Sequence, residues 1–274
     1  MVSCMRTRRV SVCFLLVAAL VLLARPAHAQ YSTSDPATGE RYNVEVSFGL
    51  WNPTPDLVFS SEQFGIPGSD IDAVADLDIQ KARFRDFRVV LRPARKHKFR
   101  FSYTPITYTS DTTLRRPVVF NGILYQVGLP VQTAFTWKAY RIGYEYDFIY
   151  RDRGFLGVVL DAKFTDASVQ LDSPLNSEFA SARAPIPTIG LIGRGYLLPN
   201  VSVTGEFTGF KIPDSESLDF EGRYYEFDMY GTVNFTNNVG AQVGYRRVTV
   251  GYTVDNDFGD FKLSGLYLSG VVRF

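Results

Sequence analysis

The chain has 274 residues, 46% of them hydrophobic and 15% aromatic, with 22 Gly, 22 Phe, 16 Tyr and 2 Cys. Its 29 Lys and Arg almost balance 28 Asp and Glu, which argues against a nucleic-acid partner because such surfaces carry a clear basic excess. The length suits one large all-β domain or two smaller ones.

The first 29 residues predict a secretory signal peptide. Arg6, Arg8 and Arg9 precede the apolar run "VCFLLVAALVLLA", and Ala27-His28-Ala29 has the small-residue spacing of a cleavage site. The run is short for the ~20 residues of a spanning helix. Cleavage would leave residues 30–274 as one barrel domain. It would remove Arg6, Arg8, Arg9, Arg25 and both cysteines, Cys4 and Cys13, so 25 basic and 28 acidic residues remain. An exported chain without cysteine has no disulfides to rely on.

Alternation of apolar and polar residues with period two recurs down the rest of the chain. It predicts ten strands: 41–51, 82–92, 97–109, 132–149, 154–169, 185–198, 200–212, 222–236, 238–253 and 260–274. Tight turns ("PARK", "YRDRG", "LPN", "TNN") follow the even-numbered strands. Longer connections at 52–81, 110–131, 170–184, 213–221 and 254–259 follow the odd-numbered ones. Short turns at one end and long loops at the other define an up-and-down transmembrane antiparallel β-barrel. Ten strands fit best, with eight or twelve as alternatives.

In such a barrel the apolar face meets lipid and the polar face lines the lumen. Tyr140, Ile142, Tyr144, Tyr146 and Phe148 share one face of the fourth strand, and Arg141, Gly143, Glu145 and Asp147 the other. The same parity puts Arg88, Arg92, Arg100, Arg141, Lys163, Arg194 and Arg246 inside with Asp86, Glu145, Asp147, Asp161, Glu206, Glu226 and Asp228. Nearly equal numbers of each sign predict a salt-bridge network across the lumen, because an enclosed charge is costly unless paired. Aromatic girdles are expected at both membrane interfaces. Phe99, Phe101, Tyr146, Phe148, Phe155, Phe235 and Phe274 would form the one near the turns; Trp51, Tyr103, Trp137 and Tyr225 would form the one near the loops.

These features, with the closing "LYLSGVVRF", make the chain resemble small bacterial outer-membrane barrels of the OmpA-, OmpX- and OmpW-like group. The resemblance implies residence in the outer membrane and contact with outer-membrane lipid and lipopolysaccharide. It also implies that barrel-assembly machinery reads Leu266, Leu268, Val272 and Phe274. It specifies no activity.

Residue chemistry points away from catalysis. His97 is the one histidine after the leader and falls at a periplasmic turn, without a Ser or acid placed to complete a triad. No metal site and no cofactor are expected. "GSDIDAVADLDIQ" is acidic but lacks the spacing of a calcium loop. The second long loop holds Asn121-Gly122 between two apolar arms, a strong hairpin signal. Val119, Phe120, Ile123 and Leu124 in those arms would be poorly placed in open water. The expected function is therefore a non-enzymatic structural or surface barrel, or a narrow channel for ions and small solutes. Binding or uptake of a small hydrophobic ligand through the loop hairpin is the second expectation, and an outer-membrane hydrolase the third.

Overall fold

The computed structural model describes residues 37–62, 65–174, 177–212, 220–254 and 257–274. The expected signal peptide and its cysteines lie outside the described residues. Among the described residues there are thirteen strands: β1 (Val44–Ser60), β2 (Ile71–Asp72), β3 (Phe84–Ala94), β4 (His97–Thr113), β5 (Val118–Phe120), β6 (Ile123–Tyr125), β7 (Pro130–Arg151), β8 (Gly154–Asp172), β9 (Ser177–Leu198), β10 (Val201–Ile212), β11 (Phe220–Asn234), β12 (Val239–Val254) and β13 (Asp257–Arg273).

Ten of these form the barrel wall. Each pairs antiparallel with its sequence neighbour in the order β1-β3-β4-β7-β8-β9-β10-β11-β12-β13, and β13 pairs back onto β1 from Glu45↔Arg273 to Ser60↔Phe258. Closure gives every wall strand a partner on both sides, the condition for a sheet to sit in hydrocarbon. The seam also accounts for the last residue: the Phe274 carbonyl accepts from the amides of Asn43 and Val44 at 2.7 and 3.0 Å.

Wall strands run 11–22 residues, and all but β3 exceed the ~9–11 that cross a bilayer. Side-chain polarity changes along each strand as a result. On β1, Phe48 and Leu50 point out and are exposed, whereas the outward residues beyond them are Asn52, Thr54 and Asp56. The inward face changes the other way, from Glu45 and Ser47 to buried Trp51, Leu57 and Phe59. On β13 the outward run is Leu268, Leu266, Ser264, Lys262, and the inward run is Arg273, Ser269, Tyr267, Leu263, Phe261. The turn-side half is a lipid-facing barrel with a charged interior; the loop-side half stands in water around an apolar interior. Exposed Phe101, Ile142, Leu160, Leu191, Phe207 and Val243 continue the outer belt around the wall, far more apolar surface than a soluble monomer shows.

This inversion corrects several expectations. Trp51, Trp137 and Phe155 are buried inside the barrel and belong to no girdle. Residues 170–184 and 254–259 are mostly strand instead of loop, because β8 and β9 extend to Asp172 and Ser177 and β12 and β13 to Val254 and Asp257. Likewise β1 continues to Ser60, into the expected 52–81 loop.

The barrel is closed at the turn end by residues 37–43. Backbone amides of Ala37 and Thr38 donate to the Asp152 and Pro199 carbonyls of two turns (3.2 and 2.7 Å), and the Gly39 amide donates to Asn237 Oδ1 of a third (3.1 Å). Gly39 holds a left-handed φ of 78°, and a Cβ there would meet Arg273 Nη1 at 2.8 Å. A Gly39→Val variant is therefore expected to detach this segment, read as new protease cleavage near residue 40 in an otherwise heat-modifiable barrel.

Candidate functional site: the charged layer and the apolar chamber

Inside the lipid-facing half, cations and carboxylates from opposite walls meet. Arg246 of β12 donates from both terminal nitrogens to Asp86 of β3 at 3.0 Å. Arg88 bridges Asp86 (2.8 Å) to Asp228 of β11 (2.9 Å). Glu206 of β10 takes Arg100 of β4 on one oxygen at 2.6 Å and Arg141 of β7 on the other. Arg141 also reaches Asp161 at 2.7 Å. Lys163 pairs with Glu226 and donates to Thr208 Oγ1 at 2.8 Å. The strands place these groups because residues two apart share a face, so each strand offers its charges to the lumen as a row. A cavity of about 30 Å³ among Arg88, Arg141, Glu226 and Arg246 leaves room for one or two waters.

Other predicted members lie lower down. Arg194 faces Glu40 of the closing segment at 3.4 Å and donates to Thr204 at 3.0 Å. Glu145 and Asp147 hold Lys98 at 2.6 and 2.9 Å. The sequence reading missed Lys98, although it shares the parity of Arg100. It also missed Glu40 and Glu45. Glu40 lies 3.6 Å from Arg92 and accepts from Tyr196 Oη at 2.9 Å, and Glu45 accepts from Arg273 at 2.5 Å. Glu40 precedes the first strand and carried no periodic signal.

Above this layer the interior turns apolar. Ile71, Leu77 and Ile79 of the first loop and Val118, Phe120 and Tyr125 of the hairpin fold into the barrel mouth against Leu57, Phe59 and Tyr108. The Asn121-Gly122 turn has φ of 51° and 76°, the pair of positive angles a tight hairpin turn requires. Asn121 donates to Glu178 at 2.7 Å, and Val119 exchanges bonds with Ser69. Leu124 stays exposed and Ile123 is half-buried. Burial pushes the Tyr125 phenol up to about 12, and its hydroxyl donates to the Leu171 carbonyl at 3.2 Å.

The plug does not fill the mouth. Between it and the wall β7–β13 lies a cavity of about 480 Å³, lined by Phe59, Phe120, Phe135, Trp137, Ala167, Val169, Ile186, Phe210, Ile212, Val250, Tyr252 and Phe261 with a few polar groups, among them Ser60, Thr165 and Arg223. Phe261 stacks on Phe135 and Tyr252 at centroid separations of 5.6 and 6.0 Å. Lys163, Glu226 and Tyr224 line a second cavity, of about 40 Å³, that shares Trp137 and Thr165 with the chamber wall. Size and lining are those of a small-molecule site.

The acidic loop holds its carboxylates internally. Asp72 Oδ1 accepts the amides of Val74 and Ala75 at 2.8 and 2.9 Å, and Asp76 accepts from Arg116. Among the described residues no group of three or more His, Cys, Asp and Glu side chains is placed to hold a metal. The Arg116 hydrogen bond holds the Asp76 carboxyl below the usual carboxylate range. A depressed folded value means that the tether contributes fully above the ordinary Asp value and fades as pH falls below about 4. Proteolysis near Arg115 is expected to accelerate there, and to be fast at neutral pH in Asp76→Asn.

His97 sits at the turn end, exposed, with Nδ1 2.5 Å from Tyr144 Oη. The predicted terminal residues Leu266, Leu268, Val272 and Phe274 form the exposed outer row of β13.

No protein-family model matches the chain, and no curated protein does. Among solved structures it is similar to the outer membrane protease OmpT of Escherichia coli, at 11% identity over 89% of this chain and 100% of that one, with a TM-score of 0.57. The Ail protein of Yersinia pestis (9% identity, 83% and 99% covered, TM-score 0.37) and the toluene transporter TodX of Pseudomonas putida (10%, 94% and 93%, 0.35) also match. The fold is that of a ten-stranded transmembrane β-barrel of the outer-membrane kind.

Proposed function

We propose that the protein is a non-enzymatic barrel of the bacterial outer membrane that binds small apolar molecules in the chamber above its charged layer. The observation that carries this reading is the coexistence of the two halves. Ion pairs bridge opposite walls and residues 37–43 close the base, which disfavours a continuous aqueous path. A roomy aromatic cavity lies near the opposite end. Export by the expected signal peptide and assembly through the outer row of β13 fit this location. The OmpT likeness rests on fold alone, and His97 lies at the end away from the chamber with Tyr144 as its hydrogen-bond partner.

Lipopolysaccharide is the proposed outer-leaflet partner. Arg85, Lys138, Lys211 and Arg247 point outward just above the apolar belt, exposed and without an acid partner among the described residues. Lipid phosphates are suited to such a collar.

Two measurements test the function. In planar bilayers the protein is expected to give no discrete conductance steps; regular steps would restore the channel reading. Deleting residues 117–128 should leave a heat-modifiable barrel and weaken binding of N-phenyl-1-naphthylamine, since Phe120 leaves the chamber wall. Unchanged binding would remove the hairpin from the site.

A further inference from the structure

The barrel wall is not uniformly zipped. β9 and β10 pair from their turn up to Ile189↔Gly209, and among the described residues no pairing between them continues above that point. Both strands nevertheless go on. β9 stays paired with β8 to Ser177, and β10 stays paired with β11 to Ile212. Thr188, Pro187, Ile186 and Pro185 therefore face Phe210, Lys211 and Ile212 across a seam without ladder bonds.

The sequence explains why the seam stops there. In "ARAPIPTIG", Pro185 and Pro187 have no amide hydrogen. Standing two apart, their nitrogens face the same neighbouring strand. The β8 ladder runs past both without a break, so the edge they disarm is the one toward β10. Proline inside a sheet marks an edge, and here it creates one within a closed wall.

The seam opens at a particular height and onto a particular space. On the outside, exposed Phe164 and half-exposed Tyr225 mark the upper limit of the apolar belt, and they pair with Pro185 and Gly209 on the two sides of the gap. On the inside, Ile186, Phe210 and Ile212 line the chamber. Pro185 lines it too, although it has the parity of outward-facing Ile189 and Leu191. The cavity thus borders both faces of β9 at this point.

We infer that the β9–β10 seam is a lateral port through which an uncharged, hydrocarbon-like molecule passes between the chamber and the outer leaflet. This rests on the chamber reading above. An apolar ligand leaving sideways enters the outer leaflet at the top of the apolar belt, beside outward Lys211, and the charged layer below blocks descent along the barrel axis.

The test zips the seam and follows exchange. Pro187→Cys with Lys211→Cys places one cysteine on each strand in continuation of the Ile189↔Gly209 register. Cys4 and Cys13 lie in the expected leader. A second variant, Pro185→Val with Pro187→Val, returns the two missing amides. Protein carrying Trp51→Phe, in phosphatidylcholine vesicles, is mixed with N-phenyl-1-naphthylamine in separate vesicles, and transfer is timed by energy transfer from Trp137, then its sole tryptophan. Oxidising the cysteine pair is expected to slow transfer at least tenfold relative to the same protein reduced, with the equilibrium signal unchanged. The valine pair should slow it in the same direction. Equal rates with the disulfide formed would overturn the port and assign entry to the loop-side mouth. Absence of any saturable signal in the parent protein would instead defeat the chamber reading.

Discussion

Glu206→Ala is expected to destabilise the barrel by about 3–5 kcal/mol, the cost of breaking a buried ion pair by removing one partner. Glu206 is buried and neutralises two arginines that reach it from the opposite wall, Arg100 at 2.6 Å and Arg141. Without it Arg100 keeps only Glu145, at 3.3 Å, and Arg141 keeps only Asp161. Two guanidinium groups then share too little negative charge in a space with little water. The comparison is Asp166→Ala. Its partner Arg183 is largely exposed and 3.2 Å away, and exposed pairs contribute only about 0–1 kcal/mol. Urea unfolding in vesicles, followed by loss of the heat-modifiable gel form, should separate the two variants clearly. Equal midpoints would mean that the charged layer does not hold the walls together.

Ala167→Trp is expected to weaken ligand binding roughly a hundredfold without loss of fold. Ala167 points inward from β8 and lines a chamber with space for a larger side chain. A bound hydrocarbon gains about 0.8 kcal/mol per buried CH₂. Displacing three or four such groups costs about 2–3 kcal/mol, roughly a hundredfold in affinity. Titration with N-phenyl-1-naphthylamine measures the loss. The indole fills existing space, so the unfolding midpoint should hold or rise. A variant that binds like the parent would place the ligand elsewhere.

Much of the barrel was legible in the sequence because a strand in lipid writes its two faces as alternating residues. Tyr140–Phe148 and Leu156–Phe164 were readable for that reason, and so were the turns between strands. The loop-side half was not. Beyond Leu50 the alternation continues but exchanges its meaning, with Asn52, Thr54 and Asp56 outside and Leu57 and Phe59 inside. Period two alone cannot tell a strand in lipid from the same strand in water, so strand ends were read as loops and Trp51 and Trp137 as interface residues. The inward charges could be read from parity. Their partners could not, since Arg141 finds Glu206 across the lumen, 65 positions away in sequence. The chamber was the least legible feature. It depends on how the first loop and the hairpin fold back into the mouth, a three-dimensional outcome with no local pattern.

The most direct test is an equilibrium titration of the Trp51→Phe protein, which retains Trp137 as its sole tryptophan. Trp137 lines the chamber, so N-phenyl-1-naphthylamine bound there quenches its emission by energy transfer. Saturation at one probe per barrel, competed by an uncharged hydrocarbon and absent when Ala167→Phe is added, which fills the chamber without a second indole, is the predicted result. A signal that rises linearly with probe in the bilayer and ignores both competitor and Ala167→Phe would contradict a ligand-binding chamber.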